Sequence, residues 1–387
     1  GRVGMPRQGR GSIPRLPPGL DAGRGPPPVD DRLGLQPPAC RGLQLRQRIG
    51  LPALALRLSA ARADADGHGN THADDLLVAE LLVGIEEPQR RIRQPVAAGT
   101  PPDVVVSTSK SYLIDYLDAV PVDAFAIDDS FWADYYPNVL EFGQLDGRQV
   151  SVPYAFSTSL FYYNADLFRA AGLDPDRPPT TMAELRDAAR QIKERTGKWG
   201  YYSLPYLGWP IQMPIIVNGG SLLDADGRAA FASPAGEEAF QFFYDMATKD
   251  QVIPYGTRQE LDQAFLSGNI AMYIGTSATI NNFRQNAQFE VRSAKVPAFD
   301  GVPLQAPNGG SNLMILTQDP QKQKAAWEWI QFISAPERLA EWTAVTGYLP
   351  PKEGVLESGM LDTFVDENPL FQQAIDMLPY TVELPEW

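Results

Sequence analysis

The side chains able to do covalent or metal chemistry are few and badly placed for it. Cys40, His68 and His72 are the only thiol and imidazoles of the 387 residues, and none of either type follows His72. That excludes a cysteine or histidine nucleophile, a histidine general base and the usual Cys/His zinc site from the rest of the chain, and a lone cysteine excludes an intramolecular disulfide. Asp103, Glu141 and Asp146 are carboxylates of the kind a glycoside hydrolase uses, but that chemistry needs two of them roughly 5 to 9.5 Å apart, and nothing in the sequence pairs them. The DADG run at 224–227 lacks the later oxygen ligands of a calcium loop and reads as a hairpin turn. What remains is hydrogen bonding and stacking. Ser157, Thr158 and Ser159 form a hydroxyl trio, Gly309 and Gly310 a pair whose N–H groups a ligand oxygen can approach closely, and Tyr348 sits between a helix-ending glycine and two prolines. Trp209, in LGWPIQMP, lies outside any periodic stripe. Each has a structural alternative: turn chemistry for the hydroxyls and glycines, core packing for the rings.

These residues need elements to hold them. Leu160 to Tyr163 is an aromatic, strand-compatible run, and Asn164 is placed to cap a short helix that ends at Gly172. Thr181 with Glu184 makes a capping box for an amphipathic helix to Arg195, with Leu185, Ala188, Ala189 and Ile192 on one face. Ser233 and Pro234 open another, on which Phe240, Phe243, Tyr244 and Ala247 recur at helical spacing and read as core. Ile270 to Ile274 returns as a strand, Asp319 to Ile333 is a helix carrying Trp327 and Ile330, and Ser334 with Glu337 opens one more that stops at Gly347. Strands alternating with helices from Pro101 onward indicate an α/β architecture.

Five segments in order carry a resemblance: GTPPDVVV at 99–106, PYAFSTSLFYYN at 153–164, GNIAMYI at 268–274, NGGSNLMIL at 308–316 and TGYLP at 346–350. Together they resemble the bacterial extracellular solute-binding proteins of family 1, receptors of ABC importers for sugars, and within it the glycerol-3-phosphate-binding type, from about Ala97 onward. The resemblance implies a two-lobed periplasmic-binding-protein type II (Venus-flytrap) fold whose chain crosses between lobes three times, near Tyr154–Ser159, Tyr273–Ser277 and Gly309–Asn312. The lobes expected are 97–156 with 275–308, and 157–274 with 309–387. It implies a cleft lined by Ser157, Thr158, Thr276, Ser277, Gly309, Gly310 and Tyr348, with Trp209 and Tyr206 as stacking candidates, and no catalytic residue, metal or cofactor. The implied ligand is a small saccharide or polyol, with sn-glycerol-3-phosphate or a glycerophosphodiester as the alternative within the family and a secreted glycoside hydrolase as the alternative outside it. ABC permease subunits are the implied partners, of a monomer in the periplasm or at the cell surface.

Composition breaks sharply near residue 100. The first hundred residues hold 14 Arg, 12 Pro and 14 Gly but no Lys, Phe, Tyr or Trp, and a net charge of +4; the remainder holds all 39 aromatic residues and a net charge of −18. So acidic a body repels nucleic acid and anionic membranes. Residues 1–96 read as an off-frame or disordered segment with little to pack, apart from a short helix over Leu76–Ile85, and no signal peptide is visible. A basic residue that glycerol-phosphate receptors draw from near their C-terminus is expected beyond Trp387, so the acidic charge puts the neutral ligand first. Lacking that last segment and the family's first strand-helix-strand, the chain as written is expected to bind weakly.

Overall fold

The computed structural model describes residues 78–79, 95–96, 98–107, 119–125, 129–145, 147–202, 208–224 and 226–382. At the centre is β5, Val152–Asn164, a thirteen-residue strand buried along nearly its whole length. Its apolar run needs cover on both faces, and it receives different partners along its length. The first half pairs antiparallel with β9 (Ala306–Ile315), Val152 opposite Leu313 and Thr158 opposite Asn308. The second half pairs with β7 (Ile270–Thr276), Ser159 opposite Thr276, and with β8 (Val291–Ala294), Asn164 opposite Val291. Beyond β9 lie β2 (Val104–Ser107) and β1 (Val78–Ala79), and beyond β7 lies β6 (Trp199–Tyr202). The short β10 (Thr381–Val382) runs parallel to the start of β9. A separate two-stranded ribbon joins β3 (Gln144–Leu145) to β4 (Arg148–Gln149).

Two hydrophobic cores flank the middle of β5. One gathers Val104, Val106, Val122, Val152, Leu313 and Ile315 against Trp327, Ile330 and Ile333 of the helix Pro320–Ile333. The other joins Leu160–Tyr163, Tyr201, Tyr202 and Ile270–Ile274 to the helices Met182–Thr196, Arg258–Leu266 and Pro369–Ile375. This pairing corrects the partition expected from sequence. β8 lies on the second half of β5, so 275–308 belongs with 157–274; Leu313, Ile315 and Trp327 pack on Val104, so 313–333 belongs with the first core. Tyr273–Ser277 is accordingly not a crossing, since Ile280 and Phe283 just beyond it stay in the second core. β5 and β9 do cross, and the chain returns to the second core at Leu349, ahead of Leu370 and Phe371.

Most helix boundaries follow the sequence. Asn164 accepts the Leu167 N–H at 2.9 Å, Thr181 and Glu184 form a capping box, and Thr257 with Glu260 forms another. The helices Met182–Thr196 and Pro336–Thr346 end on Gly197 and Gly347 in the left-handed conformation that glycine tolerates. The 224–227 turn closes a hairpin, with Asp224 N–H bonded to the Arg228 carbonyl. Three expectations fail. Ser334 does not cap Pro336–Thr346; it ends the preceding helix, and Ala335 with Pro336 opens the next. On Pro234–Thr248 the buried face is Gly236, Ala239 and Met246, which leaves Phe240 39% and Tyr244 60% exposed, because the helix is rotated relative to the aromatic stripe. Val78–Ala79 is a strand paired with Val104–Val105, not part of a helix. The rest of residues 1–96, apart from the pairs 78–79 and 95–96, lies outside the described residues.

Candidate functional site

The hydroxyl trio and the glycine pair meet where β5 passes from one core to the other. Ser157 lies opposite Gly309, and Phe156 opposite Gly310. Gly310 has φ +150°, and a Cβ there would fall 2.0 Å from the Ala155 carbonyl oxygen, so no other residue fits. At Gly309 a Cβ would stand 3.2 Å from Ser157 Oγ, so the serine hydroxyl sits directly beside bare main chain.

The neighbouring hydroxyls tie the strands together. Thr158 N–H donates to Ser277 Oγ at 3.2 Å, and Ser159 Oγ donates to the Pro307 carbonyl at 2.9 Å. The Thr276 carbonyl accepts from Tyr162 Oη at 2.9 Å and Thr279 Oγ1 at 2.8 Å, while Thr276 Oγ1 accepts the Ala278 N–H. Thr158 and Ser277 are almost wholly buried and joined by that bond; Thr276, Gly309 and Gly310 remain half-buried.

Tyr348 reaches the same place from the far end of the chain. After Gly347 ends its helix, Leu349 N–H donates to the Phe156 carbonyl at 2.8 Å, which sets Tyr348 beside the strand crossing. Tyr348 is half-buried, and loss of water pushes its phenol above the usual range. Seven expected residues therefore converge: Ser157, Thr158, Thr276, Ser277, Gly309, Gly310 and Tyr348. Tyr206 lies outside the described residues, as does the side chain of Trp209, whose backbone belongs to the helix Gly208–Val217.

Four polar groups missed in the sequence stand around this junction. Trp342 packs on Tyr154 with ring centroids 5.0 Å apart, and its buried Nε1 has no partner among the described residues. The same is true of Thr343 Oγ1 and Asn312 Oδ1, although Asn312 Nδ2 donates to the Phe142 carbonyl at 3.2 Å. Asn281 donates from Nδ2 to the Val345 carbonyl at 3.0 Å and keeps a buried Oδ1 without a partner among the described residues. Asn312 lay in the quoted NGGSNLMIL segment and was legible there; Trp342 and Thr343 were hidden in an amphipathic helix. All of the groups named here are neutral, and they offer donors, acceptors and rings.

Two of the three carboxylates a hydrolase would use are described and stand apart from this chemistry. Asp103 is bound through both oxygens by Lys322 Nζ at 3.2 Å, and Glu141 is exposed. Among the described residues there is no cluster of three His, Cys, Asp or Glu able to hold a metal, and no helix is long and apolar enough to cross a membrane.

A mixed sheet divided between two cores, crossed by shared strands at a neutral polar junction, defines a two-lobed α/β binding protein. The chain belongs to the bacterial extracellular solute-binding proteins, whose family pattern matches residues 83–373, starting ahead of Ala97. It is 31% identical over 237 residues to the sn-glycerol-3-phosphate-binding periplasmic protein UgpB of Pectobacterium atrosepticum, and 30% identical to that of Yersinia enterocolitica. Each match covers 58% of this chain and 53% of the relative, so the chain spans about half the length of the curated relatives it matches. Among solved structures it resembles the cyclic α-maltosyl-1,6-maltose binding protein of Arthrobacter globiformis, with 25% identity, a TM-score of 0.73 and 86% and 85% of the two chains covered. It shares its fold with UgpB of Mycobacterium tuberculosis in complex with glycerophosphocholine, at 22% identity, a TM-score of 0.73 and 86% and 84% coverage.

Proposed function

We propose that this protein is the extracytoplasmic receptor of an ABC importer, capturing a small saccharide or polyol between its lobes and delivering it to the permease. The lobes are 97–152 with 311–346, and 157–308 with 369–382, joined through β5, β9 and the return at Leu349. The observation that carries this reading is the convergence of Ser157, Gly309 and Tyr348 from three distant parts of the chain on one strand crossing. Hinge closure around such a junction surrounds a polar ligand and removes it from water. Hydroxyls and the main chain at the two glycines match the edges of a sugar, and the rings of Tyr348, Tyr154 and Trp342 match its C–H faces. No catalytic step is assigned to any of these residues, and neither a cofactor nor a metal is required.

sn-Glycerol-3-phosphate or a glycerophosphodiester is the second reading, favoured by the names of the curated relatives. A phosphate ester needs Arg, Lys or clustered N–H groups. The junction residues named above carry no cation, which ranks the neutral ligand first. A thermal-shift panel of mono- and disaccharides, glycerol-3-phosphate and glycerophosphocholine tests both. A ligand at a hundred times its Kd should stabilise by about 2.7 kcal/mol. Failure of every compound to shift the melting temperature would remove the receptor assignment, and release of a product sugar would replace it with hydrolysis.

A further inference from the structure

The segment that carries Tyr348 has few main-chain anchors of its own. Pro350 and Pro351 are buried but have no N–H to give, so the loop's main-chain hydrogen bonds lie at its two ends. Leu349 N–H bonds to the Phe156 carbonyl, Tyr136 N–H to the Pro351 carbonyl at 3.2 Å, and Glu353 N–H to the Asp134 carbonyl at 2.7 Å. Between these attachments lies Lys352, whose side chain is nearly buried. Its ammonium stands 3.1 Å from Asp134 Oδ1, donates to the Phe131 carbonyl at 3.3 Å, and lies 4.9 Å from the ring centroids of both Phe131 and Tyr135. Phe131 in turn packs on Trp132 and Trp327 of the first core.

We propose that Lys352 is a positioning residue for the binding junction, its caged ammonium pinning the Tyr348 loop to the first lobe. A buried cation gains little stability over a well-packed apolar side chain, because the loss of hydration offsets the attraction of its partners. What the charge adds is a single permitted position. Any displacement of the loop separates the ammonium from the carboxylate, the carbonyl and two ring faces at once, whereas an apolar side chain slides between similar packings. The proposal rests on the receptor reading only in what it says of ligand affinity.

The test places 3-fluorotyrosine at position 348 and follows its fluorine resonance in the full chain without ligand. The parent should give one narrow line. Lys352→Met should melt within about 4 °C of the parent yet broaden or split that line, and Lys352→Arg should restore it. Asp134→Asn, which keeps the lysine and removes its carboxylate, should disturb the line in the same direction and decides the matter alone if Lys352→Met fails to fold. Ile192→Ala, a cavity in the distant helix Met182–Thr196, should lower the melting temperature without touching the resonance. An unchanged line in both Lys352→Met and Asp134→Asn, or an equal disturbance from Ile192→Ala, overturns the proposal. Calorimetric titration with maltose and with glycerophosphocholine adds the functional arm. Whichever probe binds the parent should bind Lys352→Met roughly fivefold more weakly, since the loop must then be ordered at the moment of binding, and equal affinity would also overturn the proposal. A parent that binds neither probe counts against the receptor reading, and the fluorine result then decides the role of Lys352.

Discussion

The Leu349 N–H donates to the Phe156 carbonyl across 2.8 Å, joining residues 193 positions apart and bringing the C-terminal loop to the strand on which the two cores meet. That bond makes Tyr348 a neighbour of Ser157 and Gly309, although nothing in sequence links them. Consequences for stability and binding follow from this junction and from the cores on either side.

Gly310 is the position least able to change. Gly310→Ala puts a methyl group 2.0 Å from the Ala155 carbonyl oxygen at φ +150°. Backbone strain of this kind costs about 1–3 kcal/mol and steric overlap adds to it. Denaturant unfolding should show a loss of about 3 kcal/mol or more; a loss under 1 kcal/mol would mean β9 does not run as described.

Ser277 and Ser157 should separate stability from binding. Ser277→Ala removes the acceptor for a buried Thr158 N–H and should cost about 1–3 kcal/mol. Ser157→Ala leaves no such orphan and should melt near the parent while weakening any ligand that stabilises it. The reverse ranking, measured by paired melting and titration experiments, would exchange their roles.

Asp250 should make stability depend on acid. Arg186 Nε lies 2.5 Å and Arg190 Nη2 2.8 Å from its nearly buried carboxylate, and chiefly the Arg186 bond holds its pKa below the ordinary carboxylate range. A depressed folded-state pKa stabilises the protein above the unfolded value, about 3.9, and that contribution disappears as pH falls through the folded value. Asp250→Asn should therefore be destabilised at pH 7, and its deficit against the parent should shrink below about pH 4. A deficit independent of pH would show that packing, not charge, is what is lost.

At the alkaline end the direction reverses. Burial pushes the Tyr273 phenol up to about 12 and raises Tyr162 and Tyr202 further, the three rings forming one stack with 6.1 Å and 4.4 Å between neighbouring centroids. Raised folded-state values leave stability intact below the unfolded phenol pKa of about 10 and withdraw it as pH climbs toward the folded values. Melting temperature should fall steeply from about pH 10 to 12, and Tyr273→Phe should flatten that fall. A parent slope unchanged by Tyr273→Phe would exclude this tyrosine as a source.

The helix Pro234–Thr248 separates burial from pattern. Met246 is fully buried and Tyr244 is 60% exposed. Met246→Ala should cost about 2–5 kcal/mol and Tyr244→Ala no more than about 0.5 kcal/mol. Equal losses in chemical denaturation would mean the aromatic stripe is the packed face after all.

Local chemistry was readable from the residues themselves. Asn164, Thr181 and Thr257 cap helices because a side-chain oxygen three positions before an orphan N–H satisfies it wherever the chain goes. Gly197 and Gly347 end helices because only glycine enters the left-handed conformation without cost. The α/β alternation rests on the same short-range signals, whereas the proposed site residues came from the resemblance of five segments to a family. Strand order does not, because a buried apolar run such as Leu160–Tyr163 suits several neighbours equally, and hydrogen bonds between strands carry no sequence label. Tertiary packing therefore decided that β8 lies on β5, that β9 carries the chain back to the first core, and that Pro234–Thr248 turns Ala239 and Met246 inward rather than Phe240 and Tyr244. It also decided that Ser277 accepts the Thr158 N–H and that Lys352 sits among Asp134, Phe131 and Tyr135, since a charge is buried only where distant partners have already assembled to receive it.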